Sequence, residues 1–372
     1  MNIDVLDRLT LNRALLARQS LLQRERSSAE QTIERLVGMQ SQKPEDPYIG
    51  LWTRLADFRH EELGELIADR RAVRASLIRA TIHLVTARDY VRIRPVLYPV
   101  FERSVYSNAD RKRELEGVDT AAVLATGRTL MEEEPLTQAE LRDLLAPEWP
   151  NRDATALAFV NRMLHPLVHV PPRGIWGENG PVAMTTAENW LGERVSSTAD
   201  SGMVDELVLR YLAAFGPATA ADARTWSGLP GLGDVMERLR PQLRTFRDTD
   251  GRELFDVPDA PLPDSDIHAP PRFLPEFDNA LLSHADRSRI LPPEHRQRVI
   301  SERSAKGTVL IDGFVSGFWR LERTRDAATL RIEPFESPSG EQRAALSEEG
   351  NRLLAFAASD AAEREIEFTD VE

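Results

Sequence analysis

Leu136-Thr-Gln-Ala-Glu-Leu-Arg142 (LTQAELR) and Ala218-Thr-Ala-Ala-Asp-Ala-Arg224 (ATAADAR) are two versions of one phrase. In each, a threonine is followed three residues later by a carboxylate. This is the capping box, in which hydroxyl and carboxylate satisfy each other's backbone N–H groups at a helix start. Each phrase follows an amphipathic run, TAAVLATGRTLMEE or VDELVLRYLAAF, and precedes a break and a further helical run, ATALAFVNRMLH or GDVMERLRPQL. Helix, turn, capped helix, turn, helix is the helix-turn-helix plan. A third box is read at Ser27-Ser-Ala-Glu30. A strand-like tail closes each unit: VRASLIRATIHLVTA (73–87), LVHVPPRGIWG (167–177) and LRTFRDTDGRELFDV (243–257), the last turning at Asp250-Gly251. A β-hairpin appended to a helix-turn-helix is a winged helix. The sequence thus predicts three in tandem, over residues 1–115, 116–196 and 197–258.

The texture changes after DAPLPDSDIHAPPR (258–271), a proline-rich linker. FLPEFDNALLS, GTVLIDGFVSGFWRLER and AATLRIEPF read as strands with turns, SGEQRAALSEEGNRLLAFAASD as a capped amphipathic helix, and EIEFTDVE as a last strand. Residues 259–372 are therefore expected to form a separate β-rich, barrel-like domain. The whole is expected to be α+β and mostly helical.

Composition narrows the function. There is no cysteine among 372 residues, which excludes disulfides and thiolate metal sites and fits a reducing cytoplasm. No apolar run is long enough to span a bilayer, and MNIDVLDRLTLNRALL lacks the layout of a signal peptide. A cytoplasmic, nucleoid-associated protein is expected. The net charge of −13 argues against binding through bulk electrostatics, but residues 71–100 hold six arginines and a single acid, Asp89. Screening limits the reach of distant charge to about 10 Å, so a basic patch on an acidic protein can still meet phosphate. Basic residues are nearly all arginine, with only Lys43, Lys112 and Lys306 as lysines, a ratio that a GC-rich genome would also give.

Few residues carry obvious chemistry. His165 and His169 stand four apart, but Pro166 interrupts them, and no metal site is expected. The stretch Gly38-Met-Gln-Ser-Gln-Lys-Pro-Glu-Asp-Pro-Tyr-Ile-Gly50 ends one helical run and opens another. Glu45 and Asp46, bracketed by Pro44 and Pro47, read as solvated turn residues. Gln40 and Gln42 flank Ser41, and on pattern alone a Gln-x-Gln at a helix end is commonly no more than a cap.

Several blocks together resemble the bacterial AlkZ-like family of tandem winged-helix DNA glycosylases: LVGMQSQ with the following Pro-Tyr (36–48), RATIHLVTARD (79–89), FGPATAADARTWSGL (215–229), FLPEFDNALLSHADRSRI (273–290) and VLIDGFVSGFWR (309–320). Members divide into Gln-x-Gln and Gln-x-Asp groups, and Gln40-Ser41-Gln42 resembles the former. The resemblance implies a monofunctional glycosylase that hydrolyses the N-glycosidic bond of N7-alkylated purines in double-stranded DNA, with interstrand crosslinks and bulky adducts as further substrates. It implies no cofactor, and a monomer is expected. A purine alkylated at N7 is already cationic and leaves without a general acid, through an oxocarbenium-like transition state. Two amides can then orient the water, and Gln40 and Gln42 are the expected catalytic pair. Lys43, Arg54, Arg74, Arg79, His83, Arg88, Arg92 and Arg94 are candidate DNA contacts, with Arg173 and Trp176 at a wing tip. Each arginine reads equally well as a solvated or ion-paired surface residue, and Trp176 as core. The competing reading is a non-catalytic winged-helix DNA-binding protein.

Overall fold

The two quoted phrases start helices as their chemistry requires. Thr137 Oγ1 accepts the Glu140 N–H at 3.2 Å while the Glu140 carboxylate accepts the Thr137 N–H at 2.8 Å; Thr219 and Asp222 repeat the exchange at 3.1 and 2.9 Å. The structure, a computed structural model, describes residues 4–301 and 306–370. The box predicted at Ser27–Glu30 is shifted by one: Ser28 caps, and the Gln31 side chain returns to it. It also opens the first helix of its unit, Ala29–Arg35, rather than the second.

Just before each threonine cap, Leu136 and Ala218 form a single β-bridge to the last strand of their own hairpins, with Met184 and Phe255 respectively. In the first unit this place is taken by the strand Met39–Gln40, paired antiparallel with Ile82–Thr86. The order helix, short strand, helix, helix, hairpin thus runs Ala29–Arg35, Met39–Gln40, Asp46–Trp52, His60–Ala68, then Ala72–Ser76 with Ile82–Thr86. Gln40 occupies the junction that Leu136 and Ala218 occupy elsewhere. There is one difference: no hydroxyl cap follows it, and residues 41–45 form an inserted loop instead.

The hairpins are joined. The first two form one five-stranded sheet, ordered Met39–Gln40, Ile82–Thr86, Ala72–Ser76, Leu167–His169, Met184–Thr186, with Arg74 opposite His169 across the seam. The second hairpin returns at Met184–Thr186, beyond the stretch that reads as its wing, because residues 170–183 form a long loop. The third, Arg244–Asp248 with Glu253–Asp256, turns at Gly251 with φ of +80°, which glycine adopts without strain. It gains a parallel strand from Val5–Leu6. The first residues therefore side with the third unit, not the first. Arg18 secures them through two 2.7 Å bonds to the Asp256 carboxylate, both side chains buried.

The C-terminal part has no barrel. Its sheet runs Glu363–Phe368, Ala327–Pro334, Phe314–Arg323, Gly307–Ile311, Arg272–Leu274, so the outer strands stand at opposite edges. Helix Gly340–Ala357 makes the crossover between the parallel pair and buries Leu346, Leu353 and Leu354, so the sheet covers its face without closing. Within FLPEFDNALLS only Arg272–Leu274 is strand; Asp278 caps a short helix, Asn279–Leu282. The last two residues of EIEFTDVE lie outside the described residues. Helix amounts to 45% of the chain and outweighs strand, so the α+β reading holds. Ile33, Tyr48 and Leu63 of the first unit share a core with Phe273, Leu330 and Leu354 of the C-terminal part. The Gln40 loop therefore lies where two layers meet.

Candidate active site

Val37 and Gly38, with φ of +57° and +87°, reverse the chain out of helix Ala29–Arg35 into the Met39–Gln40 strand. A Cβ on Gly38 would stand 3.1 Å from the Leu84 carbonyl, so the close approach of this turn to the sheet also favours glycine. Asn279 fastens the turn from the C-terminal side: its Nδ2 donates to the Gly38 carbonyl at 2.6 Å, and its Oδ1 accepts the Gln40 N–H at 3.3 Å.

Gln40 is only 7% exposed. Arg79 sits at the first hairpin's tip with φ of +55°; its Nη2 donates to Gln40 Oε1 at 2.8 Å and its Nη1 to the Trp226 carbonyl at 2.7 Å. Because arginine only donates, this contact fixes which end of the Gln40 amide is oxygen. Burial, reinforced by Arg287, pushes the Arg79 pKa down to about 10, so the group remains charged at neutral pH. His83, opposite Gln40 in the sheet, is buried with its pKa pushed down to about 3, by burial first and Arg79 second. It is therefore neutral, with Nδ1 3.0 Å from the Thr81 carbonyl, and supplies no positive charge to DNA.

Ser41 is pinned from the neighbouring strand. Arg74 donates Nε to Ser41 Oγ and Nη2 to the Ser41 carbonyl, both at 2.9 Å. Gln42, by contrast, is exposed. The two amides therefore differ: one held against Arg79, the other open to solvent.

Asp46 departs from the sequence reading. It is 7% exposed, not solvated, and its Oδ2 accepts the Lys43 N–H at 3.1 Å, closing the loop as a helix-start turn. Burial pushes its pKa up to about 7, with Glu276 and Glu45 adding to the rise and the Lys43 backbone and charge opposing it. Lys43 forms a 2.9 Å ion pair with Glu276. Beside this loop lies a cavity of about 410 Å³ whose lining includes Lys43, Asp46, Trp176, Glu276 and Trp319.

The remaining candidates separate into groups. Arg54 is fully buried, donating Nη1 and Nη2 to Asp278 at 2.9 and 2.8 Å, which removes it from any DNA surface. Arg74 is removed by its bonds to Ser41, and Arg94 by burial over the Phe101 ring, with Nη2 on the Met163 carbonyl. Arg88 and Arg92 are exposed and paired with Glu34 and Glu206. Arg173 is half-buried. Trp176 is half-buried and packs at 4.2 Å from the His60 ring and 5.1 Å from the Tyr48 ring, and its backbone N–H donates to Tyr48 Oη at 3.0 Å. His165 Nε2 lies 2.9 Å from the Leu124 carbonyl, and His169 is buried on its strand. Asp46 and Asn279, which hold the Gln40 loop, are the contacts that sequence reading missed. The Asp278-Asn279 pair set between apolar residues was a usable signal; Asp46 between two prolines gave none.

A fold of repeated helix–hairpin units with a paired-amide loop at the first hairpin defines the class. The chain belongs to the AlkZ-like DNA glycosylase family: the family model described as "DNA glycosylase AlkZ-like" matches residues 33–356. It is accordingly a DNA glycosylase, a hydrolase of N-glycosidic bonds. Among solved structures, the Streptomyces sahachiroi DNA glycosylase AlkZ is similar with a TM-score of 0.78, covering 98% of this chain and 100% of that one at 19% identity, a likeness of fold. Among curated proteins no sequence matches. Among the described residues no helix is long and apolar enough to cross a membrane.

Proposed function

We propose that the enzyme excises N7-alkylated, cationic purines from double-stranded DNA, bulky adducts and interstrand crosslinks included, with Gln40 and Gln42 orienting the hydrolytic water. One observation carries this reading. The two amides border a single loop, Gln40 fixed by Arg79 and Gln42 exposed, and no carboxylate stands between them. An amide accepts and donates without changing charge, so it orients water but draws little proton from it. That suffices only for a leaving group already positive.

Its boundaries follow the recurring units, read as three winged helices followed by the C-terminal sheet. Arg88, Arg92, Lys43 and Arg173 are the proposed phosphate contacts, through exchange of their present partners for the backbone, while Arg79, which the sequence offers as a DNA contact, stays on Gln40. The protein acts as a monomer in the cytoplasm, on nucleoid DNA. Lys43 is engaged with Glu276, which favours a monofunctional enzyme over a Schiff-base lyase. The test is incubation with duplex DNA containing N7-methylguanine, scoring alkali-labile abasic sites. Release is expected from the wild type and a strong loss from Gln40→Ala and Gln42→Ala. Unchanged release by both variants refutes the role of the amides, and no release from small or crosslinked N7 adducts refutes the substrate class.

A further inference from the structure

Behind Gln40 is a second cavity, of about 10 Å³, lined by Leu36, Met39, Gln40, Asp46, Arg54, Pro275, Asp278 and Asn279. That is the space of one water molecule. Arg54 is 0% exposed, and while its two terminal nitrogens are bonded, its Nε has no hydrogen-bond partner among the described residues. A buried guanidinium N–H without an acceptor costs about 1–3 kcal/mol or more, so native proteins rarely leave one unpaired. None of the neighbours supplies the acceptor. Asp278 is engaged by the two Arg54 Nη atoms and the Ala280 N–H, and Asn279 by Gly38 and Gln40. On the Gln40 side, Arg79 holds Oε1, so the amide end left to place is Nε2, a donor. Two donors and a carboxylate around a water-sized space form a matched set. A water there accepts from Arg54 Nε–H and Gln40 Nε2–H and donates to Asp46, making the three bonds typical of an internal water.

We propose that this cavity holds one ordered water bridging Arg54, Gln40 and Asp46, and that through it Asp46 is a positioning residue for Gln40. The proposal rests on the reading of Gln40 as a water-orienting amide. It turns the loop carboxylate into part of the mechanism without contact to DNA. With Asp46 ionised, the water points its hydrogens at the carboxylate and its lone pairs at Arg54 and Gln40, locking the Gln40 amide plane. With Asp46 protonated, one oxygen becomes an O–H donor and the remaining carbonyl is a weaker acceptor than the carboxylate, so the water can turn and the lock loosens. The charged groups around Asp46 are Lys43 and Glu45 of its own loop, Arg54 just beyond the end of its helix, Arg74 of the adjoining strand, and Glu276 and Asp278 of the C-terminal side. Burial holds the Asp46 pKa at about 7, which puts this change near neutral pH.

A high-resolution crystal structure of the full chain at pH 8 is the first test, independent of any activity: a water within hydrogen-bond reach of Arg54 Nε, Gln40 and Asp46 is expected, and an empty cavity overturns the proposal. Kinetics on N7-methylguanine duplex is the second. Wild-type kcat is expected to rise with pH and level off above about 7. Asp46→Asn keeps an acceptor oxygen but cannot titrate, and is expected to give a flat profile. Asp46→Leu removes the acceptor and is expected to lower kcat about 10- to 100-fold with the KM for DNA unchanged, since small misplacements of a positioning group cost about that much. An Asp46→Asn enzyme with the wild-type pH profile, or an Asp46→Leu enzyme with wild-type kcat, overturns the assignment. If the wild type releases no N7-methylguanine, the substrate reading fails while diffraction still decides the water.

Discussion

Replacing Asp46 by asparagine should change the pH dependence of stability in a calculable way. In the folded chain burial raises this carboxyl to about 7, against 3.8 for an ordinary aspartate. The sign follows from proton counting: between those two values the folded state holds the proton and the unfolded chain has released it. Stability therefore falls as pH rises from about 4 to about 7, and is level above. A shift of about three pKa units at 1.36 kcal/mol each gives a ceiling of about 4 kcal/mol lost by pH 8. Asparagine retains the shape and an acceptor for the Lys43 N–H but cannot ionise. The variant should match the wild type near pH 4 and exceed it by up to about 4 kcal/mol at pH 8. Urea denaturation of both proteins at pH 4.5, 6 and 8 measures the difference, and every other titrating group cancels in the subtraction. A variant-minus-wild-type difference constant to about 0.5 kcal/mol across that range would show that Asp46 ionises normally, and the burial argument would fall.

Further outcomes follow from the same contacts. Arg79→Met should leave the protein folded but free the Gln40 oxygen; loss of a hydrogen bond from a charged donor, worth about 1.5–3 kcal/mol, should lower single-turnover excision about 10- to 150-fold. Arg54→Met strands the buried Asp278 charge and should destabilise the chain by about 3–5 kcal/mol, whereas the double variant Arg54→Met/Asp278→Leu should recover most of that in thermal melts. Affinity for undamaged duplex should fall steeply with salt, and Arg88→Ala and Arg92→Ala should each reduce the slope by about one, read by fluorescence anisotropy; an unchanged slope removes them from the binding face.

Local signals in the sequence were legible where a short-range bond enforces them. Thr137 with Glu140 and Thr219 with Asp222 form the capping boxes read from spacing, and Asp250-Gly251 forms the predicted turn. What spacing could not show is partnership at long range. Ser28 caps with Gln31, a one-residue shift decided by backbone angles. Val5–Leu6 pairs with Arg247–Asp248, far away along the chain, and nothing near residue 5 reports it. Arginines divide in the same manner: Arg54 and Arg88 look alike in sequence, yet one is sealed against Asp278 and the other meets solvent. Asp46 misled for a related reason, since flanking prolines describe a turn but not what covers it.

The parallel pairing of Val5–Leu6 with the third hairpin, fastened by Arg18 and Asp256, has a mechanical corollary. The chain is wired as a closed loop rather than as beads on a string, because its beginning is stitched to a unit that arrives some 240 residues later. Detaching this opening segment from the third unit would mean unzipping backbone pairs and tearing open a sealed ion pair. The opening segment thus serves as a built-in strap whose hold is set by backbone pairing and one sealed charge pair rather than by the length of the linkers between units.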